Sequence, residues 1–273
     1  MARKALLVGL NHYPDPANTL RGCINDVRQV SDLLCSRFGF AANGSTRSLT
    51  DARATTAAIV DRLHWLLDGA RAGDVLVFHY SGHGSQVPDR HGDEVDDGLD
   101  EIICPYDLDW DDPFTDDDLY AIVKDLPAGV NLTVVLDCCH SGTGLREAAS
   151  PGSRARRRCL SAPPALSRPR RADAAVRRFG SRAAQHGAIL IAGCRSDQVS
   201  ADAYIDGDYH GALTYFLCRA IETAEGRLTY RELIERVRRE LRENQFDQVP
   251  QLEGPAAMLR GEVLGPVVEL VAS

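Results

Sequence analysis

The chain has 273 residues, with 31 Lys+Arg against 39 Asp+Glu for a formal charge of −8, and 44% of its residues are hydrophobic. At this length roughly 70–75% of the unfolded surface can be buried, so one well-filled domain is expected and collagen-like, disordered and coiled-coil classes are excluded. No apolar run approaches the roughly 18 residues of a membrane span, and the stretch after Lys4 meets Asn11 and Pro14 too soon for a signal peptide, so a cytoplasmic protein with reduced cysteines is expected.

In chain order, KALLVGL from Lys4 reads as a buried strand, and the helical pattern that follows puts Val27, Val30, Leu33 and Leu34 on one face until Gly39 ends it. TTAAIVDRLHWLLDGA reads as a second amphipathic helix, leading into strand DVLVFHYSGHG. From His91 to Asp118, 28 residues carry 13 Asp+Glu and no Lys or Arg. FTDDDLYAIVKDL then starts a helix with Thr115 as N-cap and Asp116, Asp117 and Asp118 in the first turn, where the helix dipole favours carboxylates. NLTVVLDCCHSG is the next strand.

From Pro151 to Ala183, ten Arg face one acid, Asp173, a block of +9 that leaves −17 on the rest of the chain. Four prolines, alternating Ala and Ser, and Phe179 as the one aromatic make it read as a solvated, flexible linker. Beyond it come strand GAILIAGC, helices GALTYFLCRAIETA and TYRELIERVRRELRE, and a final strand-like VLGPVVELV. Alternating strands and helices predict a parallel sheet flanked by helices. Residues 1–150 form its larger part, 151–183 the linker and 184–273 its smaller part, all in one domain.

Ligands and catalytic groups in such sheets collect past the carboxyl ends of the strands. Two strands here end in reactive residues: HYSGHG with His83 on a turn, and DCCHSG with Cys139 or Cys138. A thiol needs a base to ionise at neutral pH, and an imidazole on a neighbouring strand end supplies one. Singly, each residue would read as a buried structural group; together, in Gly/Ser turns, they read as a Cys-His dyad. Zinc ranks well below it, because Cys138, Cys139 and His140 are contiguous and lack a spacer. Phosphate-binding glycine loops are absent from the sequence.

HYSGHG and DCCHSG resemble the two catalytic motifs of caspase-like cysteine peptidases, and more closely those of metacaspases and the bacterial orthocaspases. KALLVGLNHY, LRGCINDV, DEVDDGLDEIICPYD, TDDDL, ILIAGCRSDQ and YHGALTYFL extend the resemblance along nearly the whole chain. It implies a caspase-like fold, a three-layer α/β/α sandwich with a mostly parallel sheet of about six strands, whose large and small subunit regions flank the linker, with His83 as general base and Cys139 as nucleophile. It implies an acyl-enzyme, an oxyanion hole made by the backbone N–H groups of Gly84 and Cys139, and cleavage of peptides after Arg or Lys. The corresponding pocket is Cys23, Asp26, Ser81 and Asp137, where carboxylates suit a guanidinium. No third triad residue is assignable.

Calcium is a further expectation of the resemblance, at Asp100, Asp116 and Asp117, although Arg146 stands where the family often has another Asp, with Glu147 next. For an Arg-specific enzyme the linker is a substrate in the same chain. Arg156, Arg157, Arg158, Arg170, Arg171, Arg177 and Arg178 are the candidate self-cleavage sites. The partners expected are peptides with Arg or Lys at the cut, with no membrane, and the resemblance implies a monomer. Two rivals remain: a catalytically silent caspase homologue acting as a scaffold, and a nucleic-acid-binding protein using its Arg-rich stretch.

Overall fold

The computed structural model describes residues 1–42, 44–89, 99–139, 155–166, 181–195 and 198–267. The chain opens with strand β1 (Arg3–Gly9), helix α1 (Cys23–Phe38), strand β2 (Thr46–Thr50), helix α2 (Thr56–Leu67) and strand β3 (Val75–Ser81). Strands β4 (Gly84–Pro88) and β5 (Leu99–Ile103), helix α3 (Asp116–Val123), strand β6 (Asn131–Asp137) and the two-residue strand β7 (Arg156–Arg157) follow. Helix α4 (Ser181–Gln185), strands β8 (Ile189–Ala192), β9 (Ala201–Ile205) and β10 (Asp208–Gly211), helices α5 (Ala212–Thr223) and α6 (Tyr230–Glu243), strand β11 (Gln251–Glu253) and the short helix α7 (Ala256–Leu259) complete it.

Successive side chains of a strand point to opposite faces. In β1 this sends Leu6 and Val8 to one apolar layer and Ala5 and Leu7 to the other. The first layer is closed by Ile59, Leu63 and Leu66 of α2, Leu119 and Val123 of α3, and Ala183 and Ala184 of α4. The second is closed by Val27, Val30, Leu33 and Leu34 of α1 together with α5 and α6. The result is the expected three-layer sandwich around a six-stranded sheet of order β11-β8-β6-β3-β1-β2. All neighbours in it are parallel except the antiparallel edge strand β11.

Local signals set the helix ends. Thr115 and Asp118 form a reciprocal capping box at α3, Thr229 and Glu232 form another at α6, and Gly39, with φ of 68°, takes the left-handed turn that ends α1. The expected final strand does not form over the described part of VLGPVVELV. Val263 and Leu264 lie in a turn buried against the second layer, and the sheet edge is taken by β11. Among the described residues no helix is long and apolar enough to cross a membrane. All eight cysteines are free thiols.

Candidate active site

Register carries the site. Gly9 of β1 pairs with Ser81 of β3, and Ser81 pairs with Asp137 of β6, so three parallel strands end level with one another. α1 begins beside them, and Asn11, just past β1, accepts the Cys23 backbone N–H at 2.8 Å through its side-chain oxygen. Asp26, which alone would read as a solvated helix residue, is thereby turned inward and fully buried.

Into this corner comes an arginine from the stretch that composition marks as a solvated linker. Residues 155–166 are placed in the fold, and Arg158 is completely buried. Its Nη2 donates to Asp26 Oδ2 at 2.8 Å and to Asp202 Oδ1 at 3.0 Å. Its Nη1 donates to Ser81 Oγ at 2.7 Å and to the Asp137 carbonyl at 3.1 Å, and lies 3.4 Å from Asp137 Oδ2. The physical reason for the departure from the linker expectation is this cage: a buried cation is tolerated where carboxylates surround it, and here four hydrogen bonds hold Nη1 and Nη2 while Nε has no partner among the described residues. Burial works against the Arg158 cation, and the carboxylates of Asp137, Asp26 and Asp202 are the charges that offset it.

The carboxylates around it differ. Burial pushes the Asp26 carboxyl up, but Arg158, His210 and Ser81 outweigh it and hold the group below the usual carboxylate range. At Asp137 burial wins over Arg158 and the carboxyl is raised. Asp137 is held by Ser200 Oγ at 2.6 Å and by the Thr214 N–H and hydroxyl, each at 2.8 Å. Gly211 lines the same space, and a Cβ there would fall onto Asp137 Oδ2 and Arg158 Nη1. Cys23 is buried in the first turn of α1, its thiol pushed up chiefly by burial.

The main chain of the inserted segment is held as firmly as its side chain. β7 pairs antiparallel with β9, Arg156 opposite Asp202 and Arg157 opposite Ala201, and the Arg158 N–H donates to the Ser200 carbonyl at 3.1 Å. The Arg158 carbonyl oxygen accepts two backbone N–H bonds, from Cys139 and from Gly84, both at 3.1 Å. Those two donors are the pair expected for an oxyanion hole.

Cys139 lies just past β6, fully buried, with Sγ against the Ser200 backbone, which donates its N–H to it. Burial pushes this thiol well up, and the neighbouring Cys194 thiol adds to the effect. Cys138 faces the other way, into the first apolar layer. His83 follows the end of β3. Its backbone N–H donates to the Tyr13 hydroxyl at 2.8 Å, and its Nε2 lies 2.8 Å from the Asn18 carbonyl, an acceptor that makes Nε2 the protonated nitrogen. Nδ1 has no partner among the described residues, so it is left with a lone pair. Burial lowers the His83 pKa to about 4, with the Asn18 carbonyl pulling the other way.

Sequence reasoning missed two members. Asp202 is a third pocket carboxylate, fixed by the N–H groups of Arg21 and Gly22 at 2.9 Å each. The acceptor that orients His83 is a backbone carbonyl, which no side-chain pattern can announce. Of the other self-cleavage candidates, Arg156 is exposed and reaches the Thr19 carbonyl, and Arg157 is half-buried on β7. Arg170, Arg171, Arg177 and Arg178 lie outside the described residues, as do His140, Arg146 and Glu147.

The aspartates expected to hold calcium lie at the β5–α3 corner, where Ile102 bridges Thr115. Asp100 and Asp116 are buried, and Asp117 is ion-paired with Arg182. Among the described residues no three Asp, Glu, His or Cys side chains gather so as to hold a metal ion, so these residues alone do not complete a calcium site.

A mostly parallel sheet between helical layers, with a histidine after β3 and a cysteine after β6 facing one inserted arginine, defines a caspase-like protein. A solved structure of caspase-1 from Spodoptera frugiperda shares the fold, with a TM-score of 0.60 at 12% identity over 92% of this chain and 85% of that one. A crystal structure of a protein from Geobacter sulfurreducens matches with a TM-score of 0.70 and 27% identity over 98% of this chain and 100% of that one. Within this class the chain belongs to the metacaspases: the family model described as metacaspase, peptidase C14 domain matches residues 3–147. It is 35% identical to Metacaspase-1 of Schizosaccharomyces pombe over 92% of this chain and 66% of that protein. To Metacaspase-1 of Pyricularia oryzae it is 34% identical over 92% and 71% respectively. The chain thus spans about two thirds of the length of these curated relatives.

Proposed function

We propose that the chain is a cysteine endopeptidase that cleaves after arginine, and that its own Arg158–Cys159 bond is one of its substrates. The observation that carries this reading is the double fit of Arg158: its guanidinium fills the acidic pocket while its carbonyl oxygen accepts N–H bonds from Cys139 and Gly84. Cys139 Sγ attacks the Arg158 carbonyl carbon as its proton passes to Nδ1 of His83. The oxygen gains negative charge where the two N–H donors already point, and one such donor is typically worth about 10²–10³ in rate. The bond to the Cys159 nitrogen then breaks, that nitrogen takes the proton from His83, and water hydrolyses the thioester, with His83 as base again.

Arginine is favoured over lysine because Nη1 and Nη2 are held by different partners, Ser81 and the Asp137 carbonyl on one side and Asp26 and Asp202 on the other. An ammonium group is a compact point charge and does not span both. Losing one such charge-assisted bond, about 1.5–3 kcal/mol, corresponds to roughly 10–100-fold in kcat/KM. Calcium dependence is part of the same proposal: Asp100, Asp116 and Asp117 would contribute hard oxygen ligands to a site that needs further donors, and no step is routed through the ion.

The test is a comparison of wild type with Cys139→Ala, purified alone, with calcium and with chelator. A fragment beginning at Cys159 is expected from wild type only, and arginyl peptides are hydrolysed faster than lysyl ones, with aspartyl peptides untouched. Cutting of Cys139→Ala at the same bond refutes self-cleavage, hydrolysis after Asp refutes the pocket assignment, and equal rates with chelator remove the calcium requirement.

A further inference from the structure

The inserted segment continues past the bond that faces Cys139, and it is held there as well. Cys159 forms a parallel bridge with Gly84, and the Leu160 N–H donates to the Gly84 carbonyl at 2.9 Å. The Ser85 hydroxyl donates to the Leu160 carbonyl at 2.8 Å. Gly84 therefore straddles the scissile bond, its N–H on the Arg158 oxygen before the cut and its C=O on the Leu160 N–H after it. The Leu160 side chain is half-buried and packs against the first apolar layer, whereas the preceding residue of an extended segment points the other way.

Resting on the peptidase reading above, we propose that β4 is a leaving-side substrate site. It takes the chain beyond the cut in extended form and selects an aliphatic residue at the second position after the scissile bond. The two backbone bonds and the Ser85 hydroxyl recognise any peptide, so they supply affinity, and the apolar surface under Leu160 supplies the choice. This is the division of labour of strand-addition recognition.

The experiment uses the full-length wild-type protein and fluorescence-quenched peptides spanning residues 155–161, with Leu, Gly or Asp at the position of Leu160. An arginyl aminocoumarin, which has no residue beyond the cut, serves as reference. The Leu peptide is expected to exceed the Gly peptide about ten-fold in kcat/KM, equivalent to about 1.4 kcal/mol, and the Asp peptide falls below both. Ser85→Ala is expected to lower kcat/KM for the Leu peptide about five-fold more than for the coumarin substrate. Leu, Gly and Asp peptides cut within two-fold of one another would overturn the selectivity while leaving the peptidase reading intact. A Ser85→Ala effect equal on peptide and coumarin would overturn the anchoring. No hydrolysis of any arginyl substrate would overturn the peptidase reading and this site with it.

Discussion

Removing the Arg158 side chain tests what holds the inserted segment in place. In a Cys139→Ala background, which prevents cutting, Arg158→Met keeps the length of the side chain and deletes its charge. The guanidinium makes four hydrogen bonds of 2.7–3.1 Å, to Ser81, Asp26, Asp202 and the Asp137 carbonyl, and neither it nor Asp26, Asp137 or Asp202 is exposed. Removing one partner of a buried ion pair costs about 3–5 kcal/mol, because the other charge is left uncompensated. Here the segment can lift away and let water reach the carboxylates, so the lower end, about 3 kcal/mol, applies. At about 2 °C per kcal/mol for a chain of this size, Tm is expected to fall by about 6 °C. An arginine-ended peptide should then bind the emptied pocket and restore about 2.7 kcal/mol at 100 times its Kd. Thermal unfolding followed by circular dichroism, with and without that peptide, reads both effects. A fall below about 1 kcal/mol together with no response to the peptide would refute the claim that this ion cluster anchors the segment.

Asp202→Asn keeps one acceptor oxygen, for the Gly22 N–H and Nη2, but sets an amide NH2 against the Arg21 N–H and removes one charge from Nη2 of the bound arginine, so kcat/KM for arginyl peptides should drop about 10–100-fold while the Arg over Lys preference narrows. Unchanged selectivity in a two-substrate competition assay would remove Asp202 from the pocket. A pH series on Cys139→Ala checks the buried histidines. Burial lowers both His79 and His83 to about 4 from 6.5. Between those values the unfolded chain binds more protons than the folded one, so this contribution is complete above about pH 6.5 and is lost as pH falls towards 4. At pH 5 the loss is roughly 2 kcal/mol per histidine, visible as a lower urea midpoint than at pH 7.5. Equal midpoints would contradict the depressed values.

Much of the framework was legible because its signals are local. The 3.6-residue spacing of Val27, Val30 and Leu34 marks α1 wherever it packs, and the Thr115–Asp118 box marks the start of α3. Elements whose existence depends on a neighbour were not. β2 is a half-buried edge strand of TRSLT, β11 is three residues long, and β4 and β5 exist as strands only because each pairs with the other. The apolar run near the C terminus, read as a strand, spends Val263 and Leu264 on covering the second layer instead. Asp202 went unnoticed because nothing beside it in the chain is chemically suggestive, and Asn18 because its carbonyl, not its side chain, meets His83.

By itself the sequence determined the α/β class, the two strand ends that carry His83 and Cys139, and an acidic body beside a basic insert, since composition and periodicity are properties of consecutive residues. Only the tertiary structure decided which of the arginines in that insert enters the acidic corner at the strand ends. Arg156, Arg157 and Arg158 are equivalent in composition, yet only Arg158 reaches Asp26 from α1, Asp137 from β6 and Asp202 from β9. Those carboxylates are far apart in sequence, and the level ending of parallel strands brings them together. A buried guanidinium is stable only where all of them converge, which is why a segment that reads as solvated is held in place at this one residue.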